Sequence, residues 1–153
     1  MEGIDLLAVI QIRSMLGANP EVRTTLKLLN LGKIHSCTVV PNNEYYLGML
    51  KVVKDYVTWG EINQKIFEEL LLKKGKINGK KIEEEDLNLI NMDDLEAGKI
   101  KLKDLGIVPR FGLNSPKKGF KKSKKFQYPK GELGDRGENI NELLGRMLRV
   151  ENA

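Results

Sequence analysis

The groups in this chain with the greatest capacity for chemistry are its lysines, and they are unevenly spread. Residues 114–137 read "NSPKKGFKKSKKFQYPKGELGDRG", with seven lysines interleaved with Phe120, Phe126 and Tyr128. Ammonium groups neutralise phosphates and release counterions, aromatic rings stack on bases or sugars, and Gly and Pro let an extended chain follow an irregular surface. From Pro109 to Gly137, nine Lys/Arg stand against two Asp/Glu, a net of +7; the whole chain carries +5, so the remainder sums to −2. A charge block beside a near-neutral body is the pattern of a contact surface for a polyanion, and the sequence pI of 9.2 agrees with it.

Other chemistries fit less well. "GKINGKK" (Gly75 to Lys81) has the glycines and lysine of a phosphate-binding loop, but its spacing is one residue short and it lacks the hydroxyl that would hold magnesium. Asn78-Gly79 reads instead as a two-residue hairpin turn. The acids of "EEED" (Glu83 to Asp86) suit a helix start, where they oppose the dipole, better than a metal cluster. His35 and Cys37, two apart in an expected strand, would share a face as a dyad needs, but no third residue is evident to orient the histidine. Neither has the companions of a zinc site, and Cys37 reads as a small buried hydrophobe. No metal and no cofactor is expected. "KGF" opens like a strand of an RNA-recognition motif, but Lys121 and Lys122 replace the residues that strand requires.

The elements that must position these groups follow from periodicity. "LLAVIQIR" (Leu6 to Arg13) is a nearly unbroken apolar run suited to a buried strand. Asn19 as cap, Pro20 and Glu21 open a helix with Val22, Leu26 and Leu29 on one side, ended by Asn30 to Gly32. "KIHSCTVV" is a second strand, stopped by Pro41; Glu44 to Asp55 is a second helix; "YVTWGE" is a third strand. This β-α-β-α-β order predicts an α+β body of two layers, with both helices on one face of a small sheet. Glu61 to Lys74 reads as a third helix, Glu85 to Leu95 as a short one, and Asn139 to Leu148 as an amphipathic C-terminal helix whose apolar stripe suits core packing rather than a membrane. One domain is expected: a body over 1–61, a helical and hairpin extension over 62–108, a basic extended arm over 109–137 and the C-terminal helix over 138–153. The acidic N-terminus and its short apolar run suit neither a signal peptide nor a membrane span, so a cytoplasmic protein is expected.

The stretch "IQIRSMLGANPEVRTTLKLLNLGKIHSCTVVPNNEYYLGMLKVVKDYVTWGE" resembles the body of the large-subunit ribosomal protein L-thirty family, called L-seven in eukaryotes. The resemblance rests on the strand ending in Arg13-Ser14, the Pro20 helix, "LNLGKIH" (Leu29 to His35) and "GMLKVVKDYV" (Gly48 to Val57). "RFGLNSPKKGF" and "YPKGELGDRGENINELLGRML" are similar to the extension of its archaeal and eukaryotic members, and the length suits an archaeal one. Ser115-Pro116, Lys118-Gly119 and Lys130-Gly131 depart from the paired prolines and glycines common there, which bears on local turns.

The resemblance implies a ferredoxin-like fold with a three-stranded antiparallel sheet, bound to large-subunit ribosomal RNA in a structural, non-catalytic role. Arg13, Ser14, Arg23, Thr24, Lys27, Lys33 and His35 are expected at RNA on that basis. Charge and position add Lys51, Lys54, Arg110, Lys117, Lys118, Lys121, Lys122, Lys124, Lys125, Lys130 and Arg136, with Arg110 to Arg136 as an arm that makes its contacts only on the subunit. The expected partners are ribosomal RNA and neighbouring ribosomal proteins, one copy per large subunit, with no membrane and no small-molecule substrate. Two rival readings stay open: a protein-interaction module of another ribonucleoprotein that uses the third and C-terminal helices, and a small soluble enzyme that uses His35.

Overall fold

The structure, a computed structural model, describes residues 3–77, 80–83, 85, 106–108, 110–116, 120, 123–128 and 130–148, with the side chains of 3–5 and 123–125 outside that description. The expected helix at Glu85 to Leu95 falls largely outside the described residues. The body runs β1 (Gly3–Gln11), α1 (Pro20–Leu28), β2 (Ser36–Pro41), α2 (Glu44–Val52) and β3 (Val57–Asn63). Strand β1 lies between β2 and β3 and is antiparallel to both, with Ile10 opposite Cys37 and Gln11 opposite Val57. This is the α+β, ferredoxin-like, three-stranded antiparallel body expected from the sequence.

Asn19 caps α1 as expected from the sequence, and of Asn42 and Asn43 it is Asn43 that caps α2. Asn19 Oδ1 accepts from Val22 N at 3.0 Å and Asn43 Oδ1 from Tyr46 N at 3.0 Å. The third helix, α3 (Gln64–Lys74), starts three residues later than expected. Ile62 is buried as part of β3, and Asn63 is the cap, its Oδ1 accepting from Ile66 N at 2.8 Å. Strands β4 (Lys76–Ile77) and β5 (Lys80–Lys81) then pair across positions 78–79, as a hairpin there requires.

One further expectation needs correction. The basic arm is part of the sheet: β6 (Phe111–Gly112) pairs with β2, β8 (Gly131–Asp135) runs parallel to β3, and β7 (Ser123–Gln127) runs parallel to β8. The order β6-β2-β1-β3-β8-β7 makes six strands from the three of the body. Sparse apolar residues suffice because they are well placed: Phe111, Leu113 and Leu133 are buried, while strand pairing satisfies the backbone.

The body has the two layers expected of it, and the extension adds a third. Leu7, Val9 and Trp59 face α1 and α2, packing with Val22, Leu26, Leu50 and Val53. Leu6, Ala8, Ile10 and Ile12 face the other way, onto α3 and the C-terminal helix α4 (Ile140–Leu148), among Phe67, Leu70, Leu144 and Met147. Burial on both faces is the physical reason β1 reads as a continuous apolar run instead of an alternating one. Gly60 in β3 marks where α4 docks. A Cβ there would collide with the Gly137 carbonyl oxygen and stand 2.8 Å from Ile140 Cβ, so only glycine permits this approach.

Candidate nucleic-acid interface

The register gathers chain ends at one end of the sheet. β1 finishes there, while β2 and β3 begin there because they are antiparallel to it. β7 and β8 follow the direction of β3 and overhang this end, with Gly134 and Asp135 at the end of β8 beside Thr58 and Trp59 at the start of β3. The cations on the connecting turns are therefore neighbours.

Arg13 leaves β1 exposed, with Nη1 3.4 Å from the Asp55 carbonyl and its guanidinium 5.4 Å from the Tyr56 ring centre. The backbone beneath is fixed: Ile12 N and Arg13 N both donate to the Tyr56 carbonyl, at 2.9 and 3.1 Å. Ser14 Oγ accepts from Leu16 N at 3.2 Å, and Arg23 Nε donates to the Ala18 carbonyl at 2.8 Å. Thr24 and Lys27 are exposed on the face of α1 opposite the buried Val22 and Leu26.

The turn before β2 carries Lys33 and His35. Lys33 is exposed and its carbonyl accepts from Ser36 N at 3.1 Å. His35 lies outside β2, in the left-handed region at φ 66°, which overturns the expectation that it shares a strand face with Cys37. Cys37 is fully buried, and burial pushes its thiol well above the usual range, leaving an inert apolar group. The His35 ring is 5.8 Å from that of Phe120, tilted by 34°, so Phe120 is held at this same end.

Gln11 was missed in the sequence, although a polar residue inside an apolar run is itself a signal. Fully buried, it donates from Nε2 to the Arg13 carbonyl at 3.0 Å and accepts at Oε1 from Gly32 N at 2.8 Å. It thus couples the Arg13 turn to the Lys33 turn. Gln127 acts similarly, donating to the Lys54 carbonyl at 3.1 Å and to Asp55 Oδ1 at 3.4 Å, so β7 is tied to the turn that bears Lys54. Lys51, in the last turn of α2, is exposed nearby in sequence.

Arg110 is exposed and donates from Nε to the Asn30 carbonyl at 3.0 Å. Lys130 holds its Nζ 4.6 Å from the centre of the Phe126 ring. Lys117, Lys118, Lys121 and Lys122 lie outside the described residues; Lys124 and Lys125 are on β7, their side chains outside the description.

Arg136 does not join this set. It is 7% exposed and donates to Thr58 Oγ1 at 2.8 Å, to the Glu132 carbonyl at 2.5 Å and to Glu132 Oε1 at 3.2 Å. Burial lowers its pKa, opposed by the Glu132 charge. It lines a cleft of about 140 Å³ with Tyr128, Glu132, Asn139, Glu142 and Arg146. Its role is internal. Among the described residues no three His, Cys, Asp or Glu gather as a metal site, and no helix is long and apolar enough to cross a membrane.

Together these features define an α+β protein with helices on both faces of one sheet and a cluster of exposed cations on the turns at one sheet end. Residues 7–57 match the family described as Ribosomal protein L30p/L7e. The large ribosomal subunit protein uL30 of Methanococcus maripaludis is 40% identical over 151 residues, covering 92% of this chain and 98% of that one. Those of Methanosphaera stadtmanae and Nanoarchaeum equitans are each 38% identical, covering 94% of this chain and 100% and 99% of theirs. The chain belongs to the L30p/L7e family of ribosomal proteins.

Proposed function

We propose that this chain is a structural constituent of the large ribosomal subunit, in the cytoplasm, where it binds ribosomal RNA and supports assembly and stability without catalysis. One observation carries the reading: turns from separate parts of the chain, fixed by Gln11 and Gln127, bring Arg13, Lys33, His35, Lys54 and Phe120 to one end of the sheet. A rigid array of cations with aromatic neighbours suits phosphates and bases together. Ser14, Arg23, Thr24, Lys27, Lys51, Arg110 and Lys130 extend that surface, and the six lysines from Lys117 to Lys125 are assigned to it by their charge in the sequence; buried Arg136 is left out of it. One copy binds per subunit, beside neighbouring ribosomal proteins.

The interaction-module reading loses its basis because the apolar faces of α3 and α4 are used on the protein's own sheet. The test is replacement of Lys117, Lys118, Lys121, Lys122, Lys124 and Lys125 with glutamine. Affinity for large-subunit RNA should fall, and the slope of log affinity against log salt should flatten by roughly 0.7–0.9 for each phosphate that is no longer neutralised. An unchanged slope would remove the lysine block from the interface.

A further inference from the structure

Leu16 is 92% exposed, whereas the next most exposed large apolar groups among the described residues, Tyr45 and Leu28, are 69% and 64% exposed. Its position is built rather than loose. Residues Met15 to Ala18 form a turn closed by Ala18 N donating to the Met15 carbonyl at 2.9 Å, with Gly17 at φ 82° in the position that requires glycine. Ser14 Oγ holds the Leu16 amide, Arg23 Nε holds the Ala18 carbonyl, and Asn19 caps the helix that follows. The backbone is thus pinned on both sides of a leucine that reaches into water.

The surroundings indicate what covers it. No acid occurs between Arg13 and Pro20, and the exposed arginines Arg13 and Arg23 flank the turn. A partner that satisfies both arginines and the leucine must offer anions beside an apolar surface. A nucleic acid does so, with phosphates next to base and ribose faces, and leucine is among the side chains that wedge against bases. We propose that Leu16 is an apolar wedge seated on an unstacked base or ribose of the bound RNA. This rests on the RNA-binding reading above and adds a base-reading contact to its phosphate contacts.

The experiment uses the full chain, protein-free large-subunit RNA, a salt titration and thermal melts, with Leu16→Ala and Leu16→Met compared with wild type. Leu16→Ala should weaken binding on the order of tenfold, as removal of a buried leucine side chain implies. It should leave the salt slope and Tm unchanged, and Leu16→Met should restore affinity. Base-specific chemical probing should reveal a nucleotide protected by wild type and Leu16→Met but not by Leu16→Ala. Equal affinity of Leu16→Ala and wild type, with a steep salt slope in both, would overturn the wedge and leave the RNA reading intact. If wild type binds no such RNA, both readings fall. A defect seen only in subunits reconstituted with other proteins would assign the tip to a protein neighbour and overturn the proposal.

Discussion

Arg13 and Arg136 each hold a guanidinium over a tyrosine ring, 5.4 Å from the centre of Tyr56 and 5.3 Å from that of Tyr128, and each donates to a backbone carbonyl. Their surroundings separate them. Arg13 stands on an exposed turn, and the nearby Asp55 carboxylate is engaged by Gln127. Arg136 is enclosed with Glu132 in an ion pair whose side chains are 6% and 5% exposed. The same residue type thus serves an open surface in one region and joins the extension to the body in the other. Position in the chain does not distinguish them; the presence of a buried carboxylate four residues earlier does.

The largest effect expected from this contrast is at the buried arginine. Arg136→Ala would leave the Glu132 carboxylate buried without its cation and should destabilise the protein by about 3–5 kcal/mol. Glu132→Leu combined with Arg136→Met should be much milder, since paired removal leaves no orphaned charge. Chemical denaturation of the three proteins checks both statements. Unchanged stability for Arg136→Ala, with weakened RNA binding, would return Arg136 to the RNA surface and dissolve the contrast.

Gly60→Ala tests the same join from the sheet side. The added methyl meets backbone at Gly137, which flexible side chains cannot relieve, so overpacking should cost on the order of 1–3 kcal/mol. Hydrogen exchange should show the loss concentrated in α4 and β8, while β1 and β2 remain protected. Uniform loss across the sheet would mean that body and extension unfold as one unit.

These residues also show what was legible in the sequence. The body could be read because its signals are local: Asn19 and Asn43 cap helices, Pro20 opens one, and β1 and β2 are rich in apolar and β-branched residues. The fate of residues 109–137 could not be read from composition, because pairing with β2 and β3 is a contact between distant segments. Lysine density concealed the few apolar residues that anchor the segment. The cations of the proposed interface are legible as types, but not their grouping, which depends on buried Gln11 and on Gln127. The burial of Arg136 is not legible because its partner Glu132 counts in a charge tally as one of two acids in a basic run, with nothing to indicate that the pair is enclosed.

Arg13→Ala gives a smaller, more selective effect. Removing an exposed side chain should leave Tm within about a degree of wild type, because exposed substitutions commonly change stability by no more than about 0.5 kcal/mol. RNA affinity should fall while the salt slope decreases by about one. Binding isotherms at several salt concentrations separate these outcomes. A fall in Tm with unchanged affinity would make Arg13 a packing residue like Arg136.

The finest distinction lies at His35, whose left-handed backbone costs a non-glycine residue roughly 1–2 kcal/mol. If the histidine is kept for what its ring does beside Phe120, the backbone is strained for the sake of the surface. His35→Ala keeps the strain and removes the ring, whereas His35→Gly removes the ring but relieves the strain. The glycine variant should therefore be more stable than the alanine variant by about 1 kcal/mol, while both bind RNA equally weakly. Equal stabilities would show that the turn relaxes without strain. Full RNA affinity in His35→Gly would leave the ring without a part in the interface and confine the surface to its cations.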